Sequence, residues 1–118
     1  MDRFQIQSTV GPTGACILRV LGPVTLQNVF EFQSTARKES ERAVIVDLTD
    51  VPYMDSAGLG AILGVFASCQ RTQRGFALAG ASGRVRTLLQ VAKADHIVPL
   101  FDTVEAAEAH LSAKAQQA

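Results

Sequence analysis

Ala43-Val44-Ile45-Val46-Asp47-Leu48 is a nearly continuous apolar run near the middle of the chain. A run this short and this rich in β-branched residues suits a central strand buried on both faces, as in parallel sheets. Asp47 lies near its C-terminal end. After Thr49-Asp50-Val51-Pro52-Tyr53-Met54, the pair Asp55-Ser56 opens a helix over about residues 57 to 72. Strand, loop and helix in that order make the core of an α/β unit.

Upstream, Phe4-Gln5-Ile6-Gln7-Ser8 alternates apolar and polar, as a half-buried strand does. Gly11-Pro12-Thr13-Gly14 is a turn, and Ala15-Cys16-Ile17-Leu18-Arg19-Val20 is a second strand ended by Gly22-Pro23. The short connection favours an antiparallel pair. From Thr25 the spacing changes: Leu26, Val29, Phe30 and Gln33 follow an i, i+3, i+4, i+7 rhythm with Thr25 as N-cap. Arg37 and Lys38 sit where cations favour a helix C-terminus, which predicts a helix over about residues 26 to 39.

Downstream, Phe76-Ala77-Leu78-Ala79 reads as a short buried strand, and Ser82 caps a third helix with Val85, Leu88, Leu89 and Ala92 on one face. Ile97 to Phe101 is an edge strand or no strand, because Pro99 cannot donate to a ladder. Asp102 with Glu105 resembles a capping box, and Val104, Ala107 and Leu111 stripe a fourth helix. The expected architecture is α/β: a single domain over residues 1 to 118, with a mixed sheet of four or five strands and about four helices. Residues 113 to 118 are expected to form a loose tail.

Composition narrows the function. In 118 residues, 11 Lys plus Arg balance 11 Asp plus Glu, which disfavours a protein that works by neutralising nucleic-acid phosphates. No apolar run approaches the roughly 18 residues needed to span a bilayer, and the N-terminus lacks a signal-peptide pattern, so the cytoplasm is expected. Cys16 and Cys69 stand far apart in apolar stretches, with no Cys/His cluster to hold a metal and no cofactor motif. A P-loop is absent. So is the Gly-x-Ser-x-Gly elbow, since Met54 stands where its first glycine would be.

The stretch from Asp47 to Gly60, which follows the buried strand and opens the helix, is the part that looks purposeful. Ser56 lies at or beside a helix start, where a hydroxyl meets unpaired backbone N–H groups, and capping is the plainest role for it or for Asp55. Gly58 and Gly60 in the first turn each cost up to about 1 kcal/mol relative to Ala. Such glycines admit a close backbone or an incoming protein. Leu59, Ile62, Leu63 and Phe66 already make a core stripe. Ala57, Ala61, Val65, Ala67 and Cys69 add apolar groups around the rest of the helix. A surface helix normally keeps a polar face, so this one is covered twice within the domain or meets a partner.

At Asp47-Leu48-Thr49-Asp50-Val51 and Met54-Asp55-Ser56-Ala57-Gly58-Leu59-Gly60 the chain resembles the STAS domain family, and more narrowly the stand-alone bacterial anti-sigma factor antagonists. The resemblance continues through Val85-Arg86-Thr87-Leu88-Leu89 and Val98-Pro99-Leu100-Phe101-Asp102-Thr103-Val104-Glu105-Ala106-Ala107. It implies a non-enzymatic switch. The unmodified protein binds an anti-sigma factor that is also its serine kinase, phosphorylation of Ser56 breaks the complex, and a metal-dependent serine phosphatase resets it. Asp55, Ala57, Gly58, Gly60, Ala61 and Thr25 are the implied partner-binding positions. Thr25 stands where relatives often carry Asp. The alternative is a non-phosphorylated STAS adaptor in a lipid-transport or signalling complex. Neither reading involves direct nucleic-acid contact or membrane insertion.

Overall fold

In the computed structural model, which describes residues 4–39 and 41–117, the chain order is β1 (Gln5–Val10), β2 (Cys16–Leu21), α1 (Val29–Arg37), β3 (Ala43–Asp50), α2 (Ser56–Arg71), β4 (Gly75–Ala79), α3 (Gly83–Val91), a short 3-10 turn (Ala94–His96), β5 (Leu100–Phe101) and α4 (Val104–Gln117). The five strands lie in one sheet in sequence order. β1 and β2 are antiparallel, and every later pair is parallel. An order without reversals sends right-handed crossovers to one side, which leaves the other side to be covered separately.

Packing follows that logic. Val44, Val46 and Leu48 of β3 join Phe76 and Leu78 of β4 under Phe32 of α1, Leu59 and Ile62 of α2, and Val85 and Leu89 of α3. Their alternate neighbours Ala43, Ile45, Ala77 and Ala79 pack against Ala107 and Leu111 of α4. β3 is therefore buried on both faces, as its composition predicts. The small β4 residues let α4 lie close: a side chain at Gly75 would press on Leu111 at 3.1 Å. Thr13 Oγ1, in the β1–β2 turn, donates to Glu108 Oε2 of α4 at 3.2 Å and ties the hairpin to that helix.

Several expectations need correction. The first helix starts at Val29, not near 26; Thr25 contributes only its carbonyl, which accepts from Asn28 and Val29 in a preceding turn. Its buried residues are Phe32 and Ala36, while Leu26 and Phe30 are 71% and 79% exposed. The fourth helix is capped by Thr103, whose Oγ1 accepts from Ala106 N at 3.1 Å, and not by an Asp102–Glu105 box. Asp102 instead faces Arg86 at 3.5 Å. The last strand shrinks to Leu100–Phe101, and the expected loose tail is helical through Gln117, with Ala118 outside the described residues.

Lys93 follows the C-cap of α3 with φ at +59°, the left-handed conformation that glycine adopts most easily. A non-glycine residue there carries a steric cost that glycine avoids. Lys93→Gly is expected to raise stability by about 0.5–1 kcal/mol, read as a higher urea midpoint with an unchanged slope.

Candidate functional site

Past the end of β2 the chain stays beside the segment leaving β3. A register shift between Arg19 and Leu21 bends β2, and Arg19 holds the bend by donating from Nε and Nη2 to Asp50 Oδ2 at 2.9 and 2.7 Å. Beyond it, Gly22 N donates to Asp50 O, Val24 N to Tyr53 O, and Asp55 N to Val24 O, at 3.2 to 3.3 Å. Val24 and Met54 form an isolated parallel bridge, and both are buried. This rung system delivers Asp55 and Ser56 to the start of α2. Asp47 closes the strand end with an Asx turn, accepting from Thr49 N and Oγ1 at 3.0 and 2.6 Å.

Asp55 is the N-cap of α2. Its Oδ1 accepts from Gly58 N at 2.8 Å, and its Oδ2 accepts from Leu26 N at 3.1 Å. The hydrogen bond from Gly58, the largest influence, holds the carboxyl below the usual aspartate range; partial desolvation opposes it and the Leu26 bond assists. One exposed carboxylate thus pins both the turn before α1 and the first turn of α2.

Ser56 is the first residue of α2, exposed, and its Oγ forms no hydrogen bond among the described residues. The capping role weighed for it belongs to Asp55. Of the other expected partner-binding positions, Gly60 is exposed, Thr25 and Ala57 are half-buried, and Gly58 and Ala61 are buried. A side chain at Gly58 would collide with the Val24 carbonyl, whereas nothing lies within 4 Å of one at Gly60. Gly58 is therefore a packing glycine and Gly60 an open surface one. Ser56, Gly60 and Gly64, four residues apart, leave an exposed strip of small groups along α2. The helix meets α1 on one flank and β4 beneath, which explains most of its apolar excess.

The sequence pattern sets Leu26 and Phe30 on the apolar stripe of the first helix, whereas the structure exposes both. Leu26 lies in the turn before α1 and Phe30 in its first turn, and the backbone of Leu26 bonds to Asp55, the neighbour of Ser56. Cys16, Glu39 and Glu41 form the one grouping of potential metal ligands among the described residues. Burial pushes the Cys16 thiol up to about 11, which disfavours the thiolate a metal requires. Among the described residues no helix is long and apolar enough to cross a membrane.

The family model of the STAS domain matches residues 7–107. An anti-sigma-B factor antagonist of Listeria monocytogenes is 38% identical over 55 residues, which make up 47% of this chain and 48% of that protein. The match thus spans about half the length of that curated relative. The crystal structure of an anti-sigma factor antagonist from Mycobacterium paratuberculosis superposes with a TM-score of 0.85 at 18% identity, over 93% of this chain and 95% of that one. The Bacillus cell fate determinant SpoIIAA in its phosphorylated form gives a TM-score of 0.66 at 19% identity, over 89% and 96% of the two chains. At such identities the structural likeness speaks for the fold alone.

Two predictions follow from the α2 start. Gly58→Ala is expected to destabilise the protein markedly, because the Val24 carbonyl it meets is held in the rung system; Gly60→Ala is expected to stabilise it by up to about 1 kcal/mol. Denaturant midpoints of the two variants read the difference. Asp55→Ala is expected to lose about 0.5–2 kcal/mol at pH 7. The native carboxyl titrates below its unfolded value of about 3.9, so its contribution is present above that pH and disappears as the pH falls through the native value. The gap between wild type and Asp55→Ala should therefore narrow between pH 5 and the acid limb, a change that urea titrations at a series of pH values would measure.

Proposed function

The chain belongs to the STAS domain family, and from that premise we propose that it is an anti-sigma factor antagonist switched by phosphorylation of Ser56. Unmodified, it binds an anti-sigma factor that doubles as its serine kinase. Modified, it releases that factor, which is free to hold its sigma factor again. A metal-dependent serine phosphatase restores the binding form.

The observation that carries this reading is that Ser56 is exposed and unbonded while its neighbour Asp55 does the capping. A serine at a helix start with no structural duty is available to a kinase, and its modification leaves the fold alone. The surface around it suits a protein partner. Gly60 and Gly64 allow close approach, and Leu26 and Phe30 present exposed apolar side chains on the segment that Asp55 ties to α2. Asp55, Ala57 and Thr25 border this surface, whereas Gly58 and Ala61 act from beneath it by shaping the helix.

The switch is electrostatic. A phosphate adds about −1.5 to −2 charges. Buried in a contact beside the Asp55 carboxylate and two apolar side chains, it would lose water without gaining a cation from this chain's loop. A penalty of about 4 kcal/mol lowers affinity about a thousandfold. No change of fold is needed.

Incubation with the candidate kinase and ATP should place phosphate on Ser56 and not on Ser68 or Ser82, as read by mass spectrometry of the peptides. Because Ser56 Oγ makes no bond, Ser56→Ala should keep stability within about 0.5 kcal/mol and bind the anti-sigma factor without being switched off. Ser56→Asp should fold equally well and bind more weakly, though less so than the phosphoprotein. Leu26→Ala and Phe30→Ala should leave the urea midpoint nearly unchanged and weaken binding about tenfold or more. Calorimetric titrations showing wild-type affinity for Ser56→Asp, or phosphate dominated by Ser82, would overturn the proposal.

A further inference from the structure

At the far end of α2, a chain length of about 23 Å from Ser56 at 1.5 Å per residue, a cavity of about 490 Å³ opens between the C-terminal ends of α1 and α2. Three guanidinium side chains line it: Arg37, the last residue of α1; Arg71, the last residue of α2; and Arg74, on the way into β4. No carboxylate lines it, and none of the three forms an ion pair among the described residues. Ala36, Val65 and Cys69 supply an apolar wall. A volume in this range and a mixture of apolar wall with a few convergent charges are features of small-molecule sites.

The local backbone explains how the third cation arrives. α2 ends in a Schellman arrangement, with Gln73 N donating to Gln70 O at 3.2 Å and Arg74 N to Cys69 O at 2.7 Å, and Gln73 at φ +58°. The turn folds Arg74 back beside the helix end, where Nε donates to Glu41 O at 2.6 Å. Arg74 Nη2 is buried with no hydrogen-bond partner among the described residues. The helix dipole favours one cation at the end of each helix, which accounts for Arg37 and Arg71. It does not account for Arg74, which lies outside both helices and keeps an unmet donor. The same capping bonds occupy the Ser68, Cys69 and Gln70 carbonyls that would otherwise repel an anion.

We propose that this cavity is a binding site for a small organic phosphate monoester, its phosphate held by Arg37, Arg71 and Arg74 and its compact apolar body against Ala36, Val65 and Cys69. Guanidinium groups pair with phosphate oxygens through two parallel N–H donors, and a dianion matches three cations better than a single carboxylate does. The site meets the Ser56 surface only at Gly64, and its ligand is independent of whether Ser56 is phosphorylated.

Phenyl phosphate is the probe, titrated into the isotopically labelled full chain and followed by backbone amide NMR shifts, with inorganic phosphate and phenol in parallel. Phenyl phosphate should give saturable shifts confined to residues near Arg37 and between Gly64 and Arg74, with Kd of about 1 mM or tighter. Inorganic phosphate should move the same amides with weaker affinity, and phenol should move none. Arg37→Gln and Arg71→Gln, both exposed and outside the core, should each weaken phenyl phosphate about tenfold or more while the remaining spectrum stays that of the wild type. Absence of saturation, shifts spread over Arg19, Arg84 and Arg86 as well, or wild-type affinity in both variants would overturn the site.

Discussion

One carboxylate holds both the start of α2 and the turn that leads into α1. Asp55 accepts from Leu26 N through one oxygen and from Gly58 N through the other. The bonds between residues 22–24 and 50–55 put Asp55 there, and Gly58 must lack a side chain because the Val24 carbonyl occupies the space. The spacing of α1 and α2, the exposure of Ser56 and the placement of Leu26 beside it all depend on this junction. Its strength comes from redundancy: rungs of 3.2 to 3.3 Å are individually weak, but the buried Val24–Met54 bridge and the charged cap lock them in one register.

The parts of the fold that local chemistry determines are legible in the chain. Ala43–Leu48 contains no residue that a solvated strand would choose except Asp47, so burial on both faces follows directly. The alternation Val44-Ile45-Val46 even divides between the two cores. The first helix is the counterexample. Phe30 and Phe32 are two residues apart, about 200° around a helix, so only one can face the sheet. The rhythm of Leu26, Val29, Phe30 and Gln33 selects Phe30; the structure buries Phe32 with Ala36 instead. Periodicity cannot choose between two overlapping stripes when the helix start is displaced, and Leu26 is held in the preceding turn by a tertiary bond to Asp55 that no local pattern announces.

The same junction separates the two glycines that the sequence presents as equals. Gly58 and Gly60 sit two residues apart on α2 and so point to opposite sides, one into the Val24 backbone and one into solvent. Only the first is demanded by packing. The second, with Gly64 further along, keeps the outer face of α2 flat at some expense in helix propensity. In a protein whose proposed work is to dock another protein on that face, the cost of Gly60 has a purpose that stability does not supply.

Asp55 also shapes how a charge at Ser56 would act. A helix N-terminus ordinarily welcomes an anion through its unpaired N–H groups and its dipole. Here the carboxylate of Asp55 already holds the Gly58 N–H and sits at the positive end of α2. A phosphate on the next residue would meet a terminus that is already neutralised and a like charge beside it, so it would gain little from the helix it is attached to. On the proposed reading this is what the switch requires. A phosphate drawn into the helix cap would spend its charge inside the domain and leave the outer surface little altered. One kept outside by Asp55 leaves its full charge where Leu26, Phe30 and Gly60 would meet the anti-sigma factor.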